Sequence, residues 1–84
     1  MAHVNQRIEQ PAWQAFVERR RVGDRVEGVV SSLVSFGAFV EVGDGVEGLL
    51  HRSAWHSRPE MGSVVEVKLA AIDVVNRRLS LVQS

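Results

Sequence analysis

Val34-Ser35-Phe36-Gly37-Ala38-Phe39-Val40-Glu41-Val42, running into Gly43-Asp44-Gly45 and Val46-Glu47-Gly48-Leu49-Leu50, is the stretch on which the reading of this chain turns. Side chains alternate across a strand, so Val40 and Val42 share one face and Phe39 falls beside Glu41 on the other. Gly43-Asp44-Gly45 is a strong hairpin signal, joining a strand at 39–42 to one at 46–50. A large aromatic beside a carboxylate on a wet sheet face adds little to a core. It is a suitable platform for stacking a nucleobase.

The same β texture extends both ways. Upstream, Val26, Gly28 and Val30 alternate with Glu27, and the segment runs on through Leu33-Val34. Downstream, residues 51–62 contain Pro59 and Gly62 and read as an irregular connection with a short helical turn, where Trp55 is a small apolar plug. Val65, Val67 and Leu69 alternate with Glu66 and Lys68 as a fourth strand. Val75-Asn76-Arg77 turns the chain, and Leu79 and Leu81 alternate with Arg78 and Ser80 as a fifth. The pair Ala70-Ala71 is a candidate phase reset near the end of the fourth strand. Short strands with glycine-rich turns predict an all-β closed barrel, because closure removes exposed sheet edges. Ahead of it, Pro11, Trp13, Phe16 and Val17 predict a short helix over about 11–21, ended by Gly23-Asp24. The first ten residues have no periodicity and read as a lead-in.

The bulk properties bound the function. An 84-residue chain holds one small domain. A hydrophobic fraction of 45% and a charged fraction of 24% argue against wholesale disorder. No apolar run is long enough for a membrane span, and residues 1–11 lack a secretory apolar segment. Zero cysteine removes disulfides and Cys-ligated zinc, and fits a cytoplasmic protein. Ten basic residues balance ten acidic ones, so the composition predicts weak phosphate-driven binding with a shallow salt dependence. The charges are nevertheless segregated. Asp24, Glu27, Glu41, Asp44 and Glu47 meet Arg25 alone, whereas bases gather at Arg19–Arg21, Arg52 and Arg58, and Arg77 and Arg78.

Three motifs in register carry a family resemblance. Gly23-x-x-Val26-x-Gly28-x-Val30 with Phe36-Gly37-Ala38-Phe39-Val40-Glu41 resembles the opening of an S1-type RNA-binding domain, named for the bacterial ribosomal protein in which such repeats occur. Gly45-x-x-Gly48-Leu49-Leu50-His51-x-Ser53 is similar to its middle. Gly62-x-x-Val65-x-Val67-Lys68, Ile72-Asp73 and Arg78-Leu79-Ser80-Leu81 are similar to its closing strands. The resemblance covers roughly residues 22–82, and Pro11-Ala12-Trp13-Gln14-x-Phe16 looks like the linker helix before a repeat in actinobacterial members. It implies a five-stranded antiparallel oligonucleotide/oligosaccharide-binding (OB) barrel over 22–84 behind an extension over 1–21. The connection from His51 to Gly62 is shorter than the family's usual one.

The resemblance implies RNA contacts from Phe36, Phe39, His51, Asp73 and Arg78. Phe39 is outward by strand parity, as the residues alone indicate. Phe36 would point inward on a regular strand, so a bulge at Gly37-Ala38 is expected to bring both rings to one surface. His51 is expected to stack on a base or donate a hydrogen bond to RNA. Asp73 has two readings, an acceptor for base or ribose groups and a cap for its own turn. Arg78 lies opposite Leu79 and Leu81 and is suited to phosphate or to stacking on a base, with Arg77 in the turn as a substitute. Lys68 and Arg52 are secondary RNA contacts. Arg19–Arg21 read as a basic helix end favoured by the helix dipole, and Trp13 and Phe16 as packing.

No phosphate loop, hydrolase or zincin motif is present, His3, His51 and His56 share no ligand context, and no enzyme, metal, cofactor or small-molecule substrate is expected. The expected function is single-stranded RNA binding by base stacking and phosphate contacts, in bacterial translation or RNA metabolism. The alternative is a protein-docking OB module for ribosome or ribonuclease components, anchored by Phe36 and Phe39. The linker-like helix also fits a chain that is one domain of a larger S1 homologue, where sister domains add avidity.

Overall fold

The computed structural model describes residues 9–43 and 45–84. Most of the expected lead-in, with His3, and Asp44 of the hairpin turn lie outside the described residues. Helix α1 spans Glu9–Arg19, and five strands follow: β1 (Arg25–Val34), β2 (Gly37–Gly43), β3 (Val46–His51), β4 (Val64–Asp73) and β5 (Arg78–Gln83). They form the closed barrel predicted, in the order β1-β2-β3-β5-β4 and back to β1. A 3-10 turn at Arg52–Ala54 opens the connection between β3 and β4.

The alternation seen in the sequence is the alternation of burial. Val26, Val30, Val40, Leu50, Val67, Leu69, Leu79 and Leu81 all point inward and are buried. Phe16 of α1 joins them, lying over Gly43 at the end of β2. The Arg20 guanidinium sits 6.0 Å from the centre of its ring. Trp55 packs against the core from the other connection and donates its indole N–H to the Leu50 carbonyl at 3.1 Å.

Four of the strand contacts are antiparallel, as expected, and β3 with β5 is parallel. An odd number of strands forces this. Directions that alternate around a ring of five must repeat once, and here they repeat where the barrel closes. The parallel seam is tight at Gly48, where an added Cβ would lie 2.8 Å from Leu81 Cδ1 and 3.0 Å from Leu79 Cβ. Glycine lets these backbones approach.

The phase resets differ from the expected set. The slip at Ala70 is present, since β4 skips a residue against β5 between Leu69 and Ala71. No bulge lies at Gly37-Ala38. Gly37, Ala38 and Phe39 pair continuously with His51, Leu50 and Leu49. The register slips instead in β1, between Val30 and Ser32, and again in β2, between Glu41 and Gly43. Phe36 escapes strand parity because it sits in the Ser35-Phe36 turn before β2 begins.

Candidate nucleic-acid interface

Phe39 points outward from β2 and is half-buried, and Phe36 from the preceding turn is 46% exposed. Their ring centres are 6.3 Å apart and their planes meet at 87°, an edge-to-face geometry favoured for aromatic pairs. The perpendicular planes matter for a ligand. A nucleotide strand that stacks on both faces must turn through about a right angle between the two bases.

Both rings line an open groove of about 740 Å³ that runs over β2, β3 and β5. Its floor follows from strand register. Phe39 pairs with Leu49, and Leu49 pairs across the parallel seam with Ser80, so these three side chains form one outward row. Arg77 and Arg78 line one wall. Parity alone favours Arg78, but Arg77 has φ +54°, a left-handed backbone that breaks the alternation. Both guanidiniums therefore border the groove.

Trp13 is the aromatic whose place the sequence reading missed. It packs against the barrel as expected, yet it also lines the groove. The helical spacing was visible, but nothing local says that α1 lies against β3. Glu47 is a second omission, an acid among the groove's lining residues.

The remaining expected residues are more dispersed. His51 ends β3 in register with Gly37, one residue from Phe36, and is exposed. Its Nδ1 accepts from Ser53 N–H at 3.2 Å and lies 2.8 Å from Ser53 Oγ. This fixes the ring at the Phe36 end and leaves Nε2 as the donor of the neutral form. Arg52 turns away into a separate cleft with Arg58 and Trp55, where its Nη1 donates to the Ser35 carbonyl at 3.4 Å. Lys68 sits on β4 between Arg25 of β1 and Val82 of β5 and does not line the groove.

Asp73 caps its own turn. Oδ2 accepts from Asn76 Nδ2 at 2.9 Å and Oδ1 from Asn76 N–H at 3.2 Å, an Asx-type arrangement. These bonds, the Asn76 side-chain amide foremost, hold its carboxyl below the ordinary value of 3.8. A depressed folded value gives stabilisation that is present above the unfolded pKa and lost as pH falls through the folded one. Asp73→Ala is therefore expected to lower Tm at neutral pH, with the gap to the parent closing in acid. Thermal melts across pH 2–7 check this.

Glu27 of β1 is directly opposite Glu66 of β4, and Glu27 and Glu41 border a shallow cleft with Val29 and Val64. Arg25 and Lys68 form a second cross-strand pair on the same β1–β4 surface, so the charges there balance.

Residues 19–82 match the family model described as the S1 RNA-binding domain. The small ribosomal subunit protein bS1 homolog of Bacillus cereus is 42% identical over 77 residues, 82% of this chain and 20% of that protein. The small ribosomal subunit protein bS1 of Mycolicibacterium smegmatis is 37% identical over 81 residues, 87% of this chain and 17% of that one. The chain spans about a fifth of the length of the curated relatives it matches. Among solved structures, GSP13 from Bacillus subtilis superposes with a TM-score of 0.71 at 30% identity, covering 77% of this chain and 56% of GSP13.

Proposed function

The chain belongs to the S1 RNA-binding domain family, and from that membership we propose that it binds single-stranded RNA as a non-catalytic module in bacterial translation or RNA metabolism. Residues 22–84 carry the binding, and α1 of the 1–21 extension walls the groove. One observation supports this most directly: two accessible aromatic rings, 6.3 Å apart, sit in one open groove beside Arg77 and Arg78. Bases stack on Phe39 and Phe36, while the arginines take the intervening phosphates. His51 meets the strand where it leaves past Phe36. Asp73 acts through the turn it caps, which sets where Arg77 and Arg78 point.

A stacked base is worth roughly 1–3 kcal/mol, so a few rings supply binding without a large electrostatic term. The arginines still leave a signature. Removing both, as Arg77→Ala with Arg78→Ala, is expected to reduce the slope of log affinity against log salt by about one to two. Titrations at several salt concentrations read that slope.

The reading is tested by amide NMR titration of the folded protein with a short unstructured RNA at low salt. Shifts centred on Phe36, Phe39, Leu49, His51 and Arg78, together with the Trp13 indole, support it. A folded protein whose spectrum stays unchanged at high RNA concentration would overturn it in favour of a protein-docking module.

A further inference from the structure

Glu47 is out of place in a groove that takes phosphates. It lines the same surface as Arg77 and Arg78, and a bare carboxylate there repels a nucleic-acid backbone. Nor is it a loose surface acid. Its Oε2 accepts a hydrogen bond of 2.7 Å from Ser31 Oγ. Glu47 belongs to β3 and Ser31 to β1, with β2 between them, so the side chain lies across β2. Ser31 Oγ is also 3.2 Å from the carbonyl of Phe39. The carboxylate is thus anchored beside the residue on whose ring a base would stack.

The β1 bulge accounts for this placement. Val30 pairs with Val40 and Ser32 with Phe39, leaving Ser31 without a strand partner. An extra residue of this kind re-aims its side chain, and here the hydroxyl's one proton goes to the Glu47 carboxylate, the nearer of two acceptors, with the Phe39 carbonyl beside it. Hydrogen bonds to a charged acceptor are among the stronger ones.

We propose that Glu47, positioned by Ser31, reads the edge of the base stacked on Phe39 and selects bases with an exocyclic amino group over uracil. The inference rests on the RNA-binding reading above. An ionised carboxylate only accepts. Among the described residues Oε1 accepts no hydrogen bond, which leaves it for a cytosine N4 or adenine N6 amino group, and a carboxylate accepting from cytosine N4 is a known form of base recognition. Uracil turns O4 toward the same position, so that two acceptors face each other. Repulsion from Glu47 also sends the phosphates to the Arg77–Arg78 wall, which keeps the base edge, rather than the backbone, against the carboxylate.

The test compares fluorescently labelled oligo-C and oligo-U of equal short length, which share ring size and differ at the amino position. The parent is expected to favour oligo-C by about fivefold, the scale of one typical net hydrogen bond. Glu47→Gln, which can both donate and accept, should bring the ratio close to one, chiefly by improving oligo-U. Ser31→Ala should lower the ratio while both oligonucleotides still bind, which marks Ser31 as a positioning residue. Equal binding of the two oligonucleotides by the parent overturns the inference and leaves RNA binding intact. So does a Glu47→Gln protein that binds both more tightly by the same factor, since Glu47 would then act only as a repelling charge. If the folded parent binds neither, the RNA-binding reading itself fails, and the inference with it.

Discussion

Replacing Phe39 with alanine is expected to weaken binding of a short single-stranded RNA by roughly 5- to 150-fold, the loss of one stacked base at 1–3 kcal/mol. The ring is well placed to show the full effect. It stands between Phe36 and the Leu49–Ser80 row at the centre of the groove, and no other aromatic occupies its strand. Phe39 is half-buried and outside the barrel interior, so its removal should leave the fold intact, which an amide spectrum verifies. Phe36→Ala should cost less, because 46% of that residue is already in solvent and it sits on a turn. A Phe39→Ala protein that bound RNA as tightly as the parent would contradict the stacking model.

Gly37→Ala is expected to be the most damaging single-methyl addition near the site. A Cβ at Gly37 would lie 2.6 Å from the Leu50 carbonyl oxygen and 3.0 Å from His51 Cα. Both are backbone atoms of a paired strand, so relief requires β2 and β3 to separate. Overpacking of this kind costs about 1–3 kcal/mol, which for a domain of this size lowers Tm by roughly 4–8 °C per kcal/mol. The consequence extends to binding. Gly37 follows Phe36 directly and is in register with His51, so opening that pair displaces the ring and the imidazole together. Chemical denaturation and RNA titration of the same variant should therefore show coupled losses. A variant with parental stability would mean that the close approach at Gly37 is unimportant.

Much of the fold was legible because the signals are local. The Val40/Val42 and Leu79/Leu81 alternations involve neighbours in the chain and appear as burial, and the turn glycines Gly43 and Gly45 fall where β2 gives way to β3. The outward position of Phe39 followed from the same parity. The slip at Ala70 was visible too, as a pair of small residues where the strand pattern faltered. Phe36 shows the limit. Its release from parity was foreseen, but a bulge was expected where the chain uses a turn, and β1 carries a bulge that was not expected, at Ser31. Nothing in Val30-Ser31-Ser32 marks one serine as unpaired, because the slip is defined only by the partner strand.

The sequence by itself determined the strands, the turn positions, the helix and the outward position of Phe39, since periodicity and turn chemistry act over a few residues. Only the tertiary structure decided which side chains meet. The parallel seam that sets Leu49 beside Ser80, the contact that brings Trp13 to the groove and the reach of Glu47 to Ser31 all join residues distant in the chain. The exclusion of Arg52 and Lys68 from the groove was likewise decided by tertiary placement. Register between distant strands comes from closing the barrel around its core, and that closure is a property of all five strands together.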